Sequence, residues 1–285
     1  MMSILVTGAN GQLGREFRDL REKYSGYHFI YASREDVSIA DEAAVEDLFQ
    51  NNVISFCINC AAYTAVDKAE AEQDIALQVN ETSVAVLARV CKKYNARLIH
   101  FSTDYVFDGE GDRPYTEKDK THPVNFYGET KLAGEKAALE GDPQTMIIRT
   151  SWVYSMHGKN FVKTMMRLMC EKESIAVVSD QVGSPTNAAD LADAVMTIIS
   201  KGKFSPGIYH YCNEGVISWF EFAQKIKTLI DSKCIVNAIP TEAYPTPAKR
   251  PHYSALDTSK IKQQFGIVIP AWEKSLERCI SMMLL

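Results

Sequence analysis

The chain is organised around residues 3–14, which read SILVTGANGQLG. The apolar and β-branched run at 3–7 predicts a buried parallel strand, and a helical pattern follows the glycines. Gly8 permits a tight turn, Gly11 lets the backbone approach a pyrophosphate, and Gly14 allows the helix to pack closely on the strand. Strand, glycine turn and helix in this order indicate a dinucleotide-binding unit, with the spacing G-x-x-G-x-x-G in place of G-x-G-x-x-G.

The same strand–helix rhythm continues along the first half of the chain. Further strands are predicted at about 28–32, 53–59, 97–102 and 146–150. This alternation predicts an α/β fold with a doubly wound, Rossmann-type parallel sheet. From about Asn160 the rhythm is less regular. We therefore expect a dinucleotide-binding domain at 1–155 and, at 156–285, mainly a smaller, discontinuous substrate-binding lobe, with some later segments returning to the first domain.

The end of the second predicted strand should meet the adenosine ribose of the cofactor. An acidic residue there binds a 2′-hydroxyl, whereas a basic residue accommodates a 2′-phosphate. Arg34 favours NADP(H), with Ser33 as a second phosphate donor and Asp36 near the adenine. NAD(H) is the alternative, because Arg34 could equally be a solvated surface charge.

Small residues follow the third predicted strand. Ala61 and Ala62, with Tyr63 next, leave room for a cofactor at the carboxyl edge of the sheet, where open α/β sheets bind ligands. Asn80 lies inside an amphipathic helix predicted at 73–94. It is either an interior polar residue bonded to the backbone or an orienting group behind the active site.

The strand at 97–102 ends in the hydroxyl residues Ser102 and Thr103, and a later helix carries Tyr127 and Lys131 four residues apart on one face. A phenol beside an ammonium can act as acid or base, because positive charge lowers the phenol pKa from about 10. Beside a nicotinamide, Tyr127 would protonate a carbonyl oxygen as hydride arrives, and Thr103 would polarise that oxygen. Lys131 would hold the nicotinamide ribose and lower the Tyr127 pKa. The predicted cofactor-binding residues are Gly8, Asn10, Gly11, Gln12, Leu13, Gly14, Ser33, Arg34, Asp36, Val37, Ala61, Ala62, Tyr63, Ser102, Tyr127 and Lys131.

These motifs resemble the extended short-chain dehydrogenase/reductase superfamily and, within it, the dTDP-4-dehydrorhamnose reductase family. The resemblance covers almost the whole chain and is most specific at AAYTAVDKAE (61–70) and PTPAKRP (245–251). It implies reduction of the 4-keto group of dTDP-4-dehydro-L-rhamnose by a reduced nicotinamide cofactor. Thr103, Tyr127 and Lys131 match the catalytic trio of the family.

The resemblance also implies a set of substrate-binding residues. Besides Thr103, the residues Asp104, Tyr105 and Trp152 match positions that face the sugar and nucleotide. Arg250 is a candidate for the diphosphate, since a guanidinium can bind phosphate through two hydrogen bonds. The alternative for Trp152 is a core anchor, and the alternative for Arg250 is a surface loop charge.

One departure from the family bears on its oligomeric state. Some members dimerise through a magnesium ion held by acidic residues, and Glu16 matches one such position. Ala189 stands where a second acid is expected, and the sequence reaches Leu285 without an acidic tail. Because such a site needs several carboxylates, we expect no metal site here and either a monomer or a metal-independent homodimer.

Two alternatives remain for the activity. A nucleotide-sugar epimerase or dehydratase of the same superfamily would keep oxidised cofactor tightly bound. A dehydratase also needs a carboxylate pair after the Thr, where this chain has Asp104 followed by Tyr105. A non-catalytic nucleotide-binding regulatory subunit would keep the fold without the chemistry, which the intact Thr103, Tyr127 and Lys131 argue against.

Composition narrows the classes of partner. A net charge of −5 argues against nucleic acid, no apolar run reaches the roughly 18 residues of a membrane span, and no signal-peptide pattern is seen. We therefore expect a cytoplasmic protein that binds neither nucleic acid nor membrane. Seven cysteines, an odd number, suit a reducing compartment. Cys57 and Cys60 form a C-x-x-C motif inside an apolar strand, which favours a buried structural role over a metal or redox site.

Overall fold

The computed structural model describes residues 1–284, which are built around a six-stranded sheet in which all neighbouring strands are parallel. In spatial order its strands are β10 (Gly207–His210), β5 (Met146–Thr150), β4 (Arg97–Thr103), β3 (Ile54–Asn59), β1 (Met2–Thr7) and β2 (Tyr27–Ala32). The strand order reverses after β1, and this is where doubly wound sheets bind ligands. The predicted Rossmann-type α/β fold is confirmed.

The helices and short strands complete the chain. The helices are α1 (Gln12–Asp19), α2 (Glu42–Asn51), α3 (Val66–Ala69), α4 (Gln73–Leu77), α5 (Ser83–Lys93), α6 (Phe126–Gly141), α7 (Phe161–Glu171), α8 (Ala188–Ser200), α9 (Trp219–Leu229), α10 (Ser259–Phe265) and α11 (Trp272–Leu284). The remaining strands are β6 (Val153–Tyr154), β7 (Ser174–Val178), β8 (Val182–Gly183), β9 (Thr186–Asn187), β11 (Ile217–Ser218) and β12 (Ile235–Ile239).

Helices cover both faces of the sheet because successive strand side chains point to opposite sides. Ile4 and Val6 of β1 lie in one core cluster with Val195 of α8. Leu5, between them, lies in the opposite cluster with Leu87 of α5. All five side chains are fully buried. An apolar run on a parallel strand therefore fills two cores at once, which explains why β1 shows no polar alternation.

A separate apolar cluster lies in the second half of the chain. It includes Tyr154, Phe222 of α9 and Leu276 of α11, and the parallel pair β7–β12 lies beside it. Two elements beyond residue 155 return to the first half of the chain, as expected: β10 pairs with β5 in the main sheet, and α8 packs on α1. The boundary at 155 itself remains a prediction.

The helix predicted at 73–94 is interrupted in its middle. A π-helical turn, Gln78–Thr82, joins α4 to α5 and contains the buried Asn80. The Ser83 hydroxyl donates to the carbonyl of Gln78 at 2.8 Å, an i to i−5 contact that suits the wider turn. π-Turns within helices are frequent at functional sites.

Several elements were absent from the sequence prediction. They include strands β10 and β12, which have four and five residues. Cys57 is buried and Cys60 half-buried, and both are free thiols. No helix within residues 1–284 is long and apolar enough to cross a membrane.

A buried ion pair fixes α6 to the sheet. The Arg149 guanidinium of β5 donates two hydrogen bonds, of 2.7 and 2.8 Å, to the Glu135 carboxylate of α6. Both side chains are 3% exposed. The guanidinium also lies 5.1 Å from the ring centroid of Phe107. Removal of one partner from such a pair leaves a buried charge without compensation.

We expect Glu135→Ala to lower the free energy of unfolding by about 3–5 kcal/mol, because the Arg149 guanidinium loses its counter-ion. Urea unfolding followed by circular dichroism measures the change. Glu171→Ala is the matched control, since Glu171 pairs with Arg167 on an exposed helix face and such pairs contribute little. Equal destabilisation by the two variants would contradict the expected role of the buried pair.

Candidate active site

The turn after β1 is held against the end of β3. Gly8 has φ of +63°, and a Cβ there would lie 2.5 Å from the backbone nitrogen of Ala61. A Cβ at Gly14 would lie 2.5 Å from the Gly8 carbonyl oxygen. Both positions therefore exclude a side chain, one by conformation and contact and the other by contact alone. The roles predicted for Gly8 and Gly14 in turning and packing are reproduced by this geometry.

The first turn of α1 presents backbone N–H groups to the cleft edge. Gly11 is the N-cap, and no side chain within residues 1–284 caps the helix there. The first N–H groups of a helix have no partner within it, and with the helix dipole they favour an anion. This arrangement fits a pyrophosphate group.

A cleft of about 690 Å³ opens beside this turn, at the carboxyl edge of the sheet. Nine of the predicted cofactor residues line it: Gly8, Asn10, Gly11, Ser33, Arg34, Val37, Ala61, Ala62 and Tyr63. Lining residues that the sequence analysis missed include Ser38, Ile39, Ile75, Gln78 and Val79. Ile75 is an apolar residue that remains 51% exposed on α4, and this exposure could not be read from the sequence.

Charged and polar groups crowd the ribose end of the cleft. The Arg34 side chain is 94% exposed, and its guanidinium contacts the Glu35 carboxylate at 3.3 Å. Glu35 also accepts a hydrogen bond from the Asn10 amide at 3.2 Å. Asp36 folds back onto Ser33, accepting from its backbone N–H at 2.8 Å and its hydroxyl at 2.7 Å. Ser33 therefore already donates its hydroxyl hydrogen within the chain.

Two other predicted cofactor residues make contacts within the protein. The Gln12 side-chain oxygen accepts a hydrogen bond from the Asn160 amide at 2.9 Å. Leu13 packs against the core cluster beneath the sheet. Their backbone groups, in the first turn of α1, are the parts that face an anion.

Asn80 connects the cleft wall to the catalytic helix. Its amide oxygen accepts from the Tyr63 N–H at 2.9 Å, and its amide nitrogen donates to the Tyr63 carbonyl and to the Thr130 hydroxyl, both at 3.0 Å. Asn80 is therefore an interior polar residue bonded to the backbone, and the backbone that it binds is that of the cleft residue Tyr63. Its orienting role behind the active site remains a prediction.

Tyr127 and Thr103 meet where β4 ends and α6 begins. Asn125 caps α6 by accepting from the N–H of Gly128 at 2.8 Å, which places Tyr127 in the first turn. Burial raises the pKa of Tyr127 to about 12, while hydrogen bonding to Thr103 acts in the opposite direction. The expected lowering by Lys131 was wrong for this structure: burial raises the pKa of Tyr127, the Asp104 carboxylate adds to this, and Lys131 is not among the groups that shift it.

Lys131 is buried in the sheet edge and does not face solvent. Its ammonium nitrogen donates to the carbonyl of Phe101 at 2.7 Å. Burial lowers the pKa of Lys131 to about 8, and the nearby Glu135 carboxylate opposes this shift. A lysine in this state changes charge within the working range of most enzymes.

Three predicted site residues carry a buried polar atom with no hydrogen-bond partner within residues 1–284: Ser102 Oγ, Asp104 Oδ2 and Arg250 Nη1. Burial raises the pKa of Asp104 to about 6, and its other oxygen accepts from the Thr103 hydroxyl at 2.9 Å. Buried polar groups are normally paired, so orphaned ones indicate a place for a polar ligand.

The remaining predicted substrate residues each contact other side chains of the protein. The Tyr105 ring is 5.7 Å from the Tyr127 ring, edge to face. The second guanidinium nitrogen of Arg250 donates to Asp67 at 2.8 Å. Trp152 has φ of +47° and stacks on Trp219 at 3.6 Å between centroids. Trp152 is half-buried, so it is packed and still partly exposed.

Acidic residues near Glu16 form a group outside the cleft. Glu16, Asp19 and His157 lie close enough to share a cation. Within the chain, however, the Ser155 hydroxyl donates to Glu16, and His157 lies 2.6 Å from Asp19. Leu285, on which the expected lack of an acidic tail also depends, lies outside the described residues.

Comparison with known proteins gives a consistent set of relatives. The dTDP-4-dehydrorhamnose reductase of Escherichia coli K12 is 40% identical over 291 residues, covering 98% of this chain and 97% of its own. The crystal structure of a dTDP-4-dehydrorhamnose reductase from Clostridium acetobutylicum has a TM-score of 0.95 at 38% identity and covers both chains fully. The Bacillus anthracis enzyme, solved in complex with NADP, has a TM-score of 0.94 at 37% identity, covering 99% of this chain and 100% of its own.

The match also extends to the family profile. The profile described as RmlD substrate binding domain matches residues 2–285. The resemblance inferred from the motifs is thus confirmed over nearly the full length. The chain belongs to the RmlD family, in which the relatives compared above are dTDP-4-dehydrorhamnose reductases.

Proposed function

We propose that the protein reduces the 4-keto group of dTDP-4-dehydro-L-rhamnose to give dTDP-L-rhamnose, with NADPH as the reductant. The near-complete overlap with reductases of that name supports the substrate. The observation that carries the chemistry is the buried Tyr127 of α6 beside Thr103 at the end of β4. Tyr63, which packs in the same apolar cluster as Tyr127, lines the cleft.

Tyr127 is proposed as the proton donor. With a pKa near 12 it is fully protonated at neutral pH, as an acid must be before the reaction. Reduced nicotinamide supplies a hydride to the carbonyl carbon. The Tyr127 O–H bond breaks as the new O–H bond forms on the sugar oxygen, so the phenolate remains on the enzyme. The Thr103 hydroxyl, now bonded to Asp104, is placed to donate to the same oxygen.

Lys131 is proposed to restore that proton. With a pKa near 8, its ammonium is a stronger acid than the Tyr127 phenol, so proton return to the phenolate is favourable. Lys131 and Tyr127 lie one helical turn apart on α6. The ammonium would also donate to the nicotinamide ribose.

Arg34 is proposed to bind the 2′-phosphate of NADP(H), with NAD(H) as a weaker alternative. An exposed guanidinium at the cleft edge can turn from Glu35 to a phosphate at little cost in burial. The carboxylates of Glu35 and Asp36 lie next to Arg34 in sequence and can accept from the 2′-hydroxyl of NAD(H), so binding of NAD(H) is also expected.

Arg250 is proposed to meet the diphosphate of the sugar nucleotide. Its unpartnered Nη1 atom is buried, and its Nη2 atom is held by Asp67. Both residues belong to the two most family-specific segments. Asp104, Tyr105 and Trp152 are proposed to contact the sugar and base.

The oligomeric state is proposed to be a monomer or a homodimer that needs no metal. The carboxylates of Glu16 and Asp19 already have protein partners. Ala189 supplies no acid, and the neighbouring Asp190 is occupied by Arg278 and by Asn213, which donates at 2.9 Å.

We expect Tyr127→Phe to reduce kcat by about 10²–10⁴-fold, because it removes the proton donor and little else. The assay follows loss of the reduced-nicotinamide absorbance with enzymatically prepared dTDP-4-dehydro-L-rhamnose. NADPH affinity, measured by fluorescence titration, should change little. Normal turnover would refute the role of Tyr127. Failure of the unmodified protein to consume NADPH, despite binding it, would favour an epimerase or regulatory function.

We expect Arg34→Ala to weaken NADPH binding about tenfold, because a charge-assisted contact with the 2′-phosphate is lost. NADH, which lacks this phosphate, should bind with nearly unchanged affinity and serves as the control. Calorimetric titration with each cofactor measures both. Equal weakening of the two would show that Arg34 does not touch the 2′-phosphate.

We expect kcat/KM to fall as the pH rises through about 8, where Lys131 loses its proton. The sign follows from the lowered pKa: an ordinary lysine would keep its charge up to about pH 10. Tyr127 stays protonated over this range, so it does not produce the fall. A profile that stays flat to pH 9.5 would contradict the need for charged Lys131.

A further inference from the structure

His100 is a buried titratable residue with no part in the reaction as described so far. It lies on β4, two residues before Ser102, and is fully buried. Its ring links two polar groups: Nδ1 is 3.1 Å from the Asn59 amide nitrogen, and Nε2 is 3.4 Å from the Lys131 nitrogen. The imidazole thus connects the end of β3 to the catalytic helix.

The orientation of Asn59 is settled by its other contacts. Its side-chain oxygen accepts from the Ala61 backbone N–H at 3.1 Å and from the Thr7 hydroxyl at 2.7 Å. A backbone N–H can only donate, so the atom it contacts must be the amide oxygen. The amide nitrogen of Asn59 therefore faces His100 as a donor.

This orientation determines the tautomer of His100. Because Asn59 donates to it, Nδ1 must accept and carries no hydrogen. Burial lowers the pKa of His100 well below its ordinary value, and the positive charge of Lys131 adds to this effect. A neutral imidazole carries a single N–H, which is then on Nε2. That N–H points at the Lys131 nitrogen.

An N–H group aimed at an amine favours the uncharged amine, which has a lone pair to accept it, over the ammonium. Three other groups bear on Lys131. The carbonyl of Phe101 accepts a hydrogen bond from it at 2.7 Å, which favours the ammonium as the stronger donor. The Glu135 carboxylate favours the ammonium, but it is already bonded to Arg149. Tyr127, one turn away on α6, is neutral near pH 8, where Lys131 titrates. His100 is thus the group in contact with Lys131 that favours its deprotonation.

We propose that His100 is a positioning residue for Lys131: Asn59 locks it as the Nε2–H tautomer, and this N–H holds the lysine amine and promotes release of its proton. The proposal rests on the catalytic role of Lys131 given above. It explains how a lysine can return a proton to the Tyr127 phenolate. Because Asn59 also binds the N–H of the cleft residue Ala61, the cofactor wall and the lysine share one rigid chain of contacts.

Two substitutions test the Nδ1 contact with Asn59 and the Nε2 contact with Lys131 separately. In His100→Asn the short amide can still accept from Asn59 but cannot reach Lys131. In His100→Gln the longer amide can place an N–H near the Nε2 position and so still donate to Lys131. Ile99→Val is the control for packing, since Ile99 is a buried apolar neighbour on β4.

The titration of Lys131 is measured directly by NMR of lysine labelled with ¹³C at Cε, with its signal assigned from the spectrum of Lys131→Arg. We expect His100→Asn to raise the midpoint by about half to one pH unit, the equivalent of one ordinary hydrogen bond. His100→Gln and Ile99→Val should stay close to the unmodified protein. The alkaline limb of kcat/KM should move with the midpoint in each variant.

The tautomer is read on the unmodified protein from ¹⁵N shifts of its histidine rings, with His100 assigned by through-bond correlation of its ring to its own backbone signals. An Nε2–H ring that does not titrate between pH 5 and 9 is expected. An Nδ1–H ring, or equal Lys131 midpoints in His100→Asn and His100→Gln, would overturn the proposal. If the variants fail to fold, the ring in the unmodified protein decides. Neither NMR result depends on turnover, so failure of the proposed reductase activity would be seen separately.

Discussion

The close approach of Gly8 to the backbone at Ala61 leaves no room for a side chain, and much of the site depends on it. Any side chain at position 8 would push β1 and the end of β3 apart, because its Cβ would lie 2.5 Å from a backbone nitrogen. Held together, these two strand ends place the first turn of α1 beside the chain at Ala61. They also bring Thr7 within reach of Asn59. The glycine turn is thus a structural joint as well as a surface for phosphate.

Burial then sets the protonation of the two residues for which a catalytic role is proposed. Burial raises the pKa of Tyr127 and lowers the pKa of Lys131, because the uncharged form of each side chain is favoured away from water. The Lys131 ammonium is therefore a stronger acid than the Tyr127 phenol. In a phenolate–ammonium ion pair the phenol would be the stronger acid. In the reduction direction this order is useful, since the phenol must begin protonated and must be refilled after each turnover.

The sequence predicted the framework of the site better than its side-chain contacts. The glycine turn, Thr103 and Tyr127 follow strand ends and helix faces, so their neighbourhood could be read from pattern and position. The partners of Arg34 and Ser33 could not, because Glu35 and Asp36 are adjacent in sequence and only the turn geometry shows which side chains they bind. The raised pKa of Tyr127 was missed for a similar reason, since desolvation depends on everything packed around the ring. The π-helical turn at Asn80 was also missed, because a single turn of five residues produces no recognisable hydrophobic periodicity.

The position of β10 has a consequence for how the chain is made. Strand β5 is complete at residue 150, but its outer neighbour is not synthesised until residues 207–210 have emerged. During that interval a nascent chain on the ribosome presents β5 as an open edge of backbone N–H and C=O groups, which other extended chains can pair with. The residues between the two strands form α7, α8 and short strands, so a ribosome paused within them holds an unfinished sheet. A chaperone that shields this edge would act on a species that no longer exists once residue 210 has joined the sheet.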